Sequence, residues 1–153
     1  MPSKSTTATS KKSNALTDAE KAALKETVRE RKRTSRRDPA SEREDGERDV
    51  REKIAEMAPA DRTMAKKIHA IVEKVAPDLV PRTWYGMPAY AKDGKVICFF
   101  KAASKYGERY ATFGFDMAAN LEEGTMWPTG WCLTKLTPAD EKRIAELVRR
   151  AVS

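Results

Sequence analysis

The sequence predicts a two-layer α+β sandwich, with helices packed on one face of a mainly antiparallel sheet of about five strands and a closing C-terminal helix. Three observations predict it. All eleven aromatic residues lie between Trp84 and Trp131, apolar residues recur at helical spacing on both sides of that window, and short alternating runs inside it are separated by turn residues.

Residues 1–15 are mostly Ser, Thr, Lys and Ala, with almost nothing to bury, and read as disordered. Thr17 and Glu20 have the spacing of a capping box, and good helix formers follow to Arg33. Within that stretch only Leu24 and Val28 are large and apolar. Their burial is worth about 3 to 5 kcal/mol in total, against roughly 1 kcal/mol of backbone entropy per ordered residue. An exposed, fraying helix near 17–33 is therefore expected, followed by a linker from Thr34 to Gly46 marked by Pro39, Ser41 and Gly46. The expected division is an arm over 1–45 and a folded domain over 46–153.

From Glu47 the pattern changes, because Val50, Ile54 and Met57 fall on one helical face. Met64, Ile68, Ile71, Val72 and Val75 then form a second apolar stripe between Pro59 and Pro77. Strands are predicted at Arg82 to Tyr85, Ala89 to Ala91 and Lys95 to Lys101, with Asp93-Gly94 as a hairpin turn. Val96 to Phe100 is apolar on both faces and belongs centrally in the sheet. A strand over Arg109 to Phe115, a short helix over Met117 to Leu121 and two short strands at Thr125 to Trp127 and Trp131 to Thr134 complete the meander. Thr137, Pro138, Asp140 and Glu141 start the last helix, whose apolar face holds Ile144, Leu147, Val148, Ala151 and Val152.

The composition excludes several classes. No run reaches the roughly 18 apolar residues that span a bilayer, and no apolar signal segment opens the chain, so a cytoplasmic protein without membrane contact is expected. Two cysteines, Cys98 and Cys132, are too few for a disulfide framework or a structural zinc site and are expected to be reduced. Phosphate-binding glycine loops, nucleophile elbows and zinc-protease helices are absent, which argues against an enzyme.

The run Trp84-Tyr85-Gly86-Met87-Pro88 with Tyr90, the Asp93-Gly94-Lys95 turn, the Val96 to Phe100 strand, Tyr110-Ala111-Thr112-Phe113-Gly114-Phe115 and Leu136-Thr137 together resemble the YdhG-like domain, over about residues 48–153. That bacterial family is grouped with frataxin-like and YjbR/CyaY-like folds. The resemblance implies a compact α+β sandwich. One branch of the group acts as an iron chaperone, so it also implies a non-enzymatic carrier that binds ferrous iron weakly and hands it to iron-sulfur assembly or haem-synthesis proteins.

Three groups of residues are candidates for function. Asp45, Asp49, Glu52 and Glu56 recur at helical spacing and suit a hard cation, although Arg48 and Lys53 at i, i+4 also make them an ordinary solvated helix face. Trp84, Tyr85, Met87, Tyr90, Trp127 and Trp131 suit a small-ligand pocket, or the core itself. The net charge of +7 includes a basic run in the arm, with Lys21, Lys25, Arg29, Arg31, Lys32, Arg33, Arg36 and Arg37 as a phosphate clamp for nucleic acid, or simply a solubilising tail. No aromatic residue is interleaved there for base stacking. His69, the single histidine, reads as a partly buried helix residue.

Overall fold

The computed structural model describes residues 17–36 and 39–153. Three helices come first, α1 (Asp18–Arg36), α2 (Pro39–Ala55) and α3 (Pro59–Val75). A five-stranded meander follows, β1 (Val80–Trp84), β2 (Met87–Lys92), β3 (Lys95–Lys101), β4 (Ala111–Phe115) and β5 (Gly130–Leu133), and α4 (Pro138–Val152) closes the chain. The strands pair antiparallel in sequence order, which puts β3 at the centre. This is the predicted α+β sandwich. Among the described residues no helix is long and apolar enough to cross a membrane.

Two-residue hairpins join the first three strands. Tyr85 and Gly86, then Asp93 and Gly94, all have positive φ, the backbone that matches strand twist in such turns. The Asp-Gly pair was readable in advance; the Tyr-Gly pair was not, because tyrosine rarely adopts φ > 0. Pro88 pairs with Thr83, whereas the pairing of β2 with β3 starts one residue later at Ala89 and Phe99. Its missing N–H therefore interrupts no bond to β3, and the irregularity in β2 falls instead between Tyr90 and Ala91.

One face of the sheet meets the helices. Tyr90, Cys98, Phe100, Phe113 and Phe115 join Val50, Ile54, Met64, Ile68, Val72, Ile144 and Val148 in one buried cluster. Fully buried side chains such as Ile68, Val72 and Val148 contribute about 1.5 to 3 kcal/mol each. Elsewhere on the sheet Trp84 packs at a tilt against Phe99 with ring centroids 5.4 Å apart.

The structure differs from the sequence reading at four places. Helix α2 begins at Pro39, so Gly46 lies buried inside a helix and the 45/46 boundary falls within one element. Helix α1 leaves Leu24 and Val28 exposed as expected, yet it is docked, through buried Thr27 and Glu30; polar anchoring substitutes for the missing apolar face. Residues 117–121 form turns rather than a helix, and residues 125–127 are not a strand. The disordered stretch expected over 1–15 lies outside the described residues.

The predicted capping box of Thr17 with Glu20 is present, and the predicted cap Thr137 forms a second one with Asp140. Replacing Thr137 by Ala should cost about 1 kcal/mol, measured by thermal or urea unfolding. The Thr137 backbone N–H, and then its hydroxyl, hold the Asp140 carboxyl below its ordinary 3.8. A depressed carboxyl stabilises the fold above its unfolded value and loses that contribution as pH falls through the folded value. The stability gap between wild type and Asp140→Asn should thus be full at neutral pH and close below 3.8.

Candidate metal centre

His69 projects from α3 between two elements that the sequence does not bring near it. Its Nδ1 lies 2.8 Å from the Tyr90 hydroxyl of β2, and its Nε2 lies 2.7 Å from Glu47 Oε1 of α2. One helical turn on, Glu73 Oε1 lies 3.3 Å from the same Nε2. The imidazole and the two carboxylates offer ligand atoms all within 4.8 Å of one another, the one such group of three among the described residues. Metal–ligand bonds near 2.1 Å imply ligand–ligand edges of about 3.0 to 3.4 Å, so small side-chain rotations suffice to close the set on an ion.

Burial grades across the site. The side chain of His69 is 9% exposed, that of Glu47 24% and that of Glu73 51%, so the imidazole forms a floor and the acids a rim. Burial pushes the Tyr90 phenol well above its ordinary value, reinforced by Cys98, Glu47 and Glu73. Tyr90 therefore remains a hydroxyl, which can donate to Nδ1 or accept from it. Both imidazole tautomers are supported, including the one that frees Nε2 for a metal.

Burial tends to raise the Glu47 carboxyl, but hydrogen bonds from Arg51 and His69 outweigh it and hold the group below its ordinary value. Arg51 Nε donates to Glu47 Oε1 over 2.6 Å. Its side chain is 68% exposed, and an exposed pair of this kind is worth little, so the guanidinium can swing away.

The proposed acidic stripe does not converge. Asp49 is buried, Asp45 pairs with Arg48 at 3.0 Å, Glu56 lies 3.7 Å from Lys53, and Glu52 is exposed. The six pocket residues are dispersed as well. Tyr90 is core, Trp84 packs edge-on to Tyr85, Trp131 packs edge-on to Phe115, and Trp127 leans on the core cluster. Met87 alone of the six lines a separate cavity of about 400 Å³ beside the β1–β2 turn. In the basic arm, Lys21, Lys25, Arg29, Arg31 and Lys32 are exposed on α1; Arg33 and Arg36 lie on its last turns, and Arg37 lies outside the described residues.

Sequence reasoning passed over Glu47 and Glu73. The i, i+4 spacing of His69 and Glu73 was visible, but the third ligand comes from α2, 22 residues away. Comparison with protein-family models, with curated proteins and with solved structures finds no match.

Proposed function

We propose that this protein is a divalent-metal-binding carrier, with Glu47, His69 and Glu73 as its ligands and ferrous iron as the cargo that its YdhG-like features suggest. The convergence of one imidazole nitrogen and two carboxylate oxygens within 4.8 Å carries the reading. Mixed nitrogen and oxygen donors suit ferrous, zinc or manganous ions better than magnesium or calcium. Three protein ligands leave positions for water or a receiving protein, which is the arrangement of a site that exchanges its ion. A protein of net charge +7 repels cations at range, and this keeps binding weak enough for handover. The site is read as one that binds and releases, without turnover.

Calorimetric titration with anaerobic ferrous iron, zinc and magnesium tests the proposal. Heat is expected for the first two. Glu47→Gln with Glu73→Gln should weaken that binding at least tenfold, and Asp45→Asn, Glu52→Gln and Glu56→Gln together should leave it unchanged. The reverse pattern would move the site to the acidic stripe, and no heat with either transition metal would dismiss the carrier reading. Arg51→Ala should tighten binding by roughly two- to fivefold, since it removes a competitor worth at most about 1 kcal/mol.

A second reading rests on the charge segregation of α1. Lys21, Lys25, Arg29, Arg31 and Lys32 face solvent while Thr27 and Glu30 are buried, so the helix offers phosphates a basic face. Anisotropy titration of a labelled duplex at low and moderate salt should show salt-sensitive binding. Unchanged affinity after charge reversal at Lys21, Lys25 and Arg29 would rule this out.

A further inference from the structure

A second site, separate from the metal ligands, lies some 12 Å along α3 from His69 by helical rise. Here the cavity of about 400 Å³ opens between the start of α3, the β1–β2 turn and the 3₁₀ turn at Ser104–Tyr106. Its floor is apolar, with Pro88, Phe100 and Ala102 buried and Met57, Met87 and Tyr106 half-buried around them. Two ammonium groups, Lys53 and Lys105, also line it, together with two carboxylates: buried Asp61, which is occupied in accepting from the Ala103 and Ser104 N–H groups, and exposed Glu56, 3.7 Å from Lys53. The volume falls within the range of small-ligand sites.

A carboxylate of the protein already bridges these two ammonium groups. Glu26 of α1 lies with Oε1 3.5 Å from Lys53 Nζ and Oε2 3.4 Å from Lys105 Nζ. The next turn of α1 places Glu30, whose Oε1 accepts from the Gly86 N–H over 3.2 Å. Gly86 leaves the room: a β-carbon there would overlap the Glu26 carboxylate. Charge-assisted bonds of a well-seated carboxylate measure about 2.7 to 2.9 Å, so Glu26 holds the two lysines loosely. With Leu24 and Val28 exposed, α1 has little apolar burial to keep it in place.

We infer that this cavity is a binding site for a small organic acid with an apolar body, and that Glu26 is an internal stand-in for the acid group which the ligand displaces. The ligand carboxylate pairs with Lys53 and Lys105, and its hydrocarbon part covers Phe100, Pro88 and Met87. Helix α1 then acts as a strap whose hold on the β1–β2 turn loosens when the site fills.

The test is an amide NMR titration of the full chain, in the presence of a chelator, with 3-phenylpropionate and with its uncharged amide. The acid should shift Gly86, Ala103, Ser104 and Lys105 and bind at least fivefold tighter than the amide. Glu26→Gln should tighten the acid by roughly three- to tenfold, the yield of releasing two partly exposed ion pairs, and leave the amide unchanged. Lys105→Gln, which does not touch α1 packing through Glu30, should erase the preference for the acid. Equal binding of acid and amide, shifts confined to other regions, or an acid affinity unmoved by both variants would overturn the assignment. The chelator keeps the outcome independent of the metal reading.

Discussion

Replacing Gly46 by Ala should destabilise the protein by about 3 kcal/mol or more. On an exposed helix the same change would stabilise by up to about 1 kcal/mol, because alanine is the better helix former. The sign reverses here because Gly46 sits where α2 crosses β1. A β-carbon at that position would overlap the carbonyl oxygen of Pro81, a backbone atom that cannot rotate aside. Either α2 lifts from the sheet or β1 bends, and both open the packing around Val50, which is fully buried four residues on. Urea denaturation reads the effect directly. Metal binding should weaken in the same variant, since Glu47 is the next residue and reaches His69 only while α2 is seated. A variant as stable as wild type would show that the helix–strand contact is slack and that Gly46 is a linker residue after all.

The second large effect concerns His69, where structural and functional roles can be separated. His69→Leu should abolish transition-metal binding and also cost about 1 to 3 kcal/mol of stability, because the Tyr90 hydroxyl is then buried without a partner. Tyr90 is 1% exposed, so water offers it little replacement. Adding Tyr90→Phe should restore most of the lost stability, since an apolar pair of similar shape leaves nothing unsatisfied, but should not restore the metal. Tyr90→Phe alone keeps all three ligands and loses only the group that orients the ring. A reduction in metal affinity of about 10- to 100-fold is expected for such a partner. If His69→Leu lost stability while ferrous and zinc binding persisted, His69 would be a core histidine and nothing more.

The two candidate sites share a design feature. In each, a side chain of the protein occupies the position of the incoming group. Arg51 sits on Glu47 where a cation would approach, and Glu26 sits between Lys53 and Lys105 where an acid would. Both stand-ins are held by partly exposed ion pairs, which are cheap to break. The unliganded protein is thus charge-satisfied without becoming closed to exchange.

What the sequence determined by itself was the layer plan and most of its elements. The apolar periods fixed α3 and α4, the Asp93-Gly94 pair fixed one hairpin, and the doubly apolar Val96 to Phe100 run fixed the central strand. These are local signals, carried by spacing within a dozen residues or fewer. Tertiary structure alone decided how Gly46 and Gly86 are used, since a glycine looks the same in sequence whether it frees the chain or admits a neighbour. It also decided which acids meet the histidine. The stripe from Asp45 to Glu56 has regular spacing but is split by burial and by basic partners, whereas Glu47 reaches His69 because α2 and α3 pack side by side. The physical reason is that helical periodicity ranks residues by face, while a ligand set depends on which faces of separate elements meet, and that is settled only when the core closes.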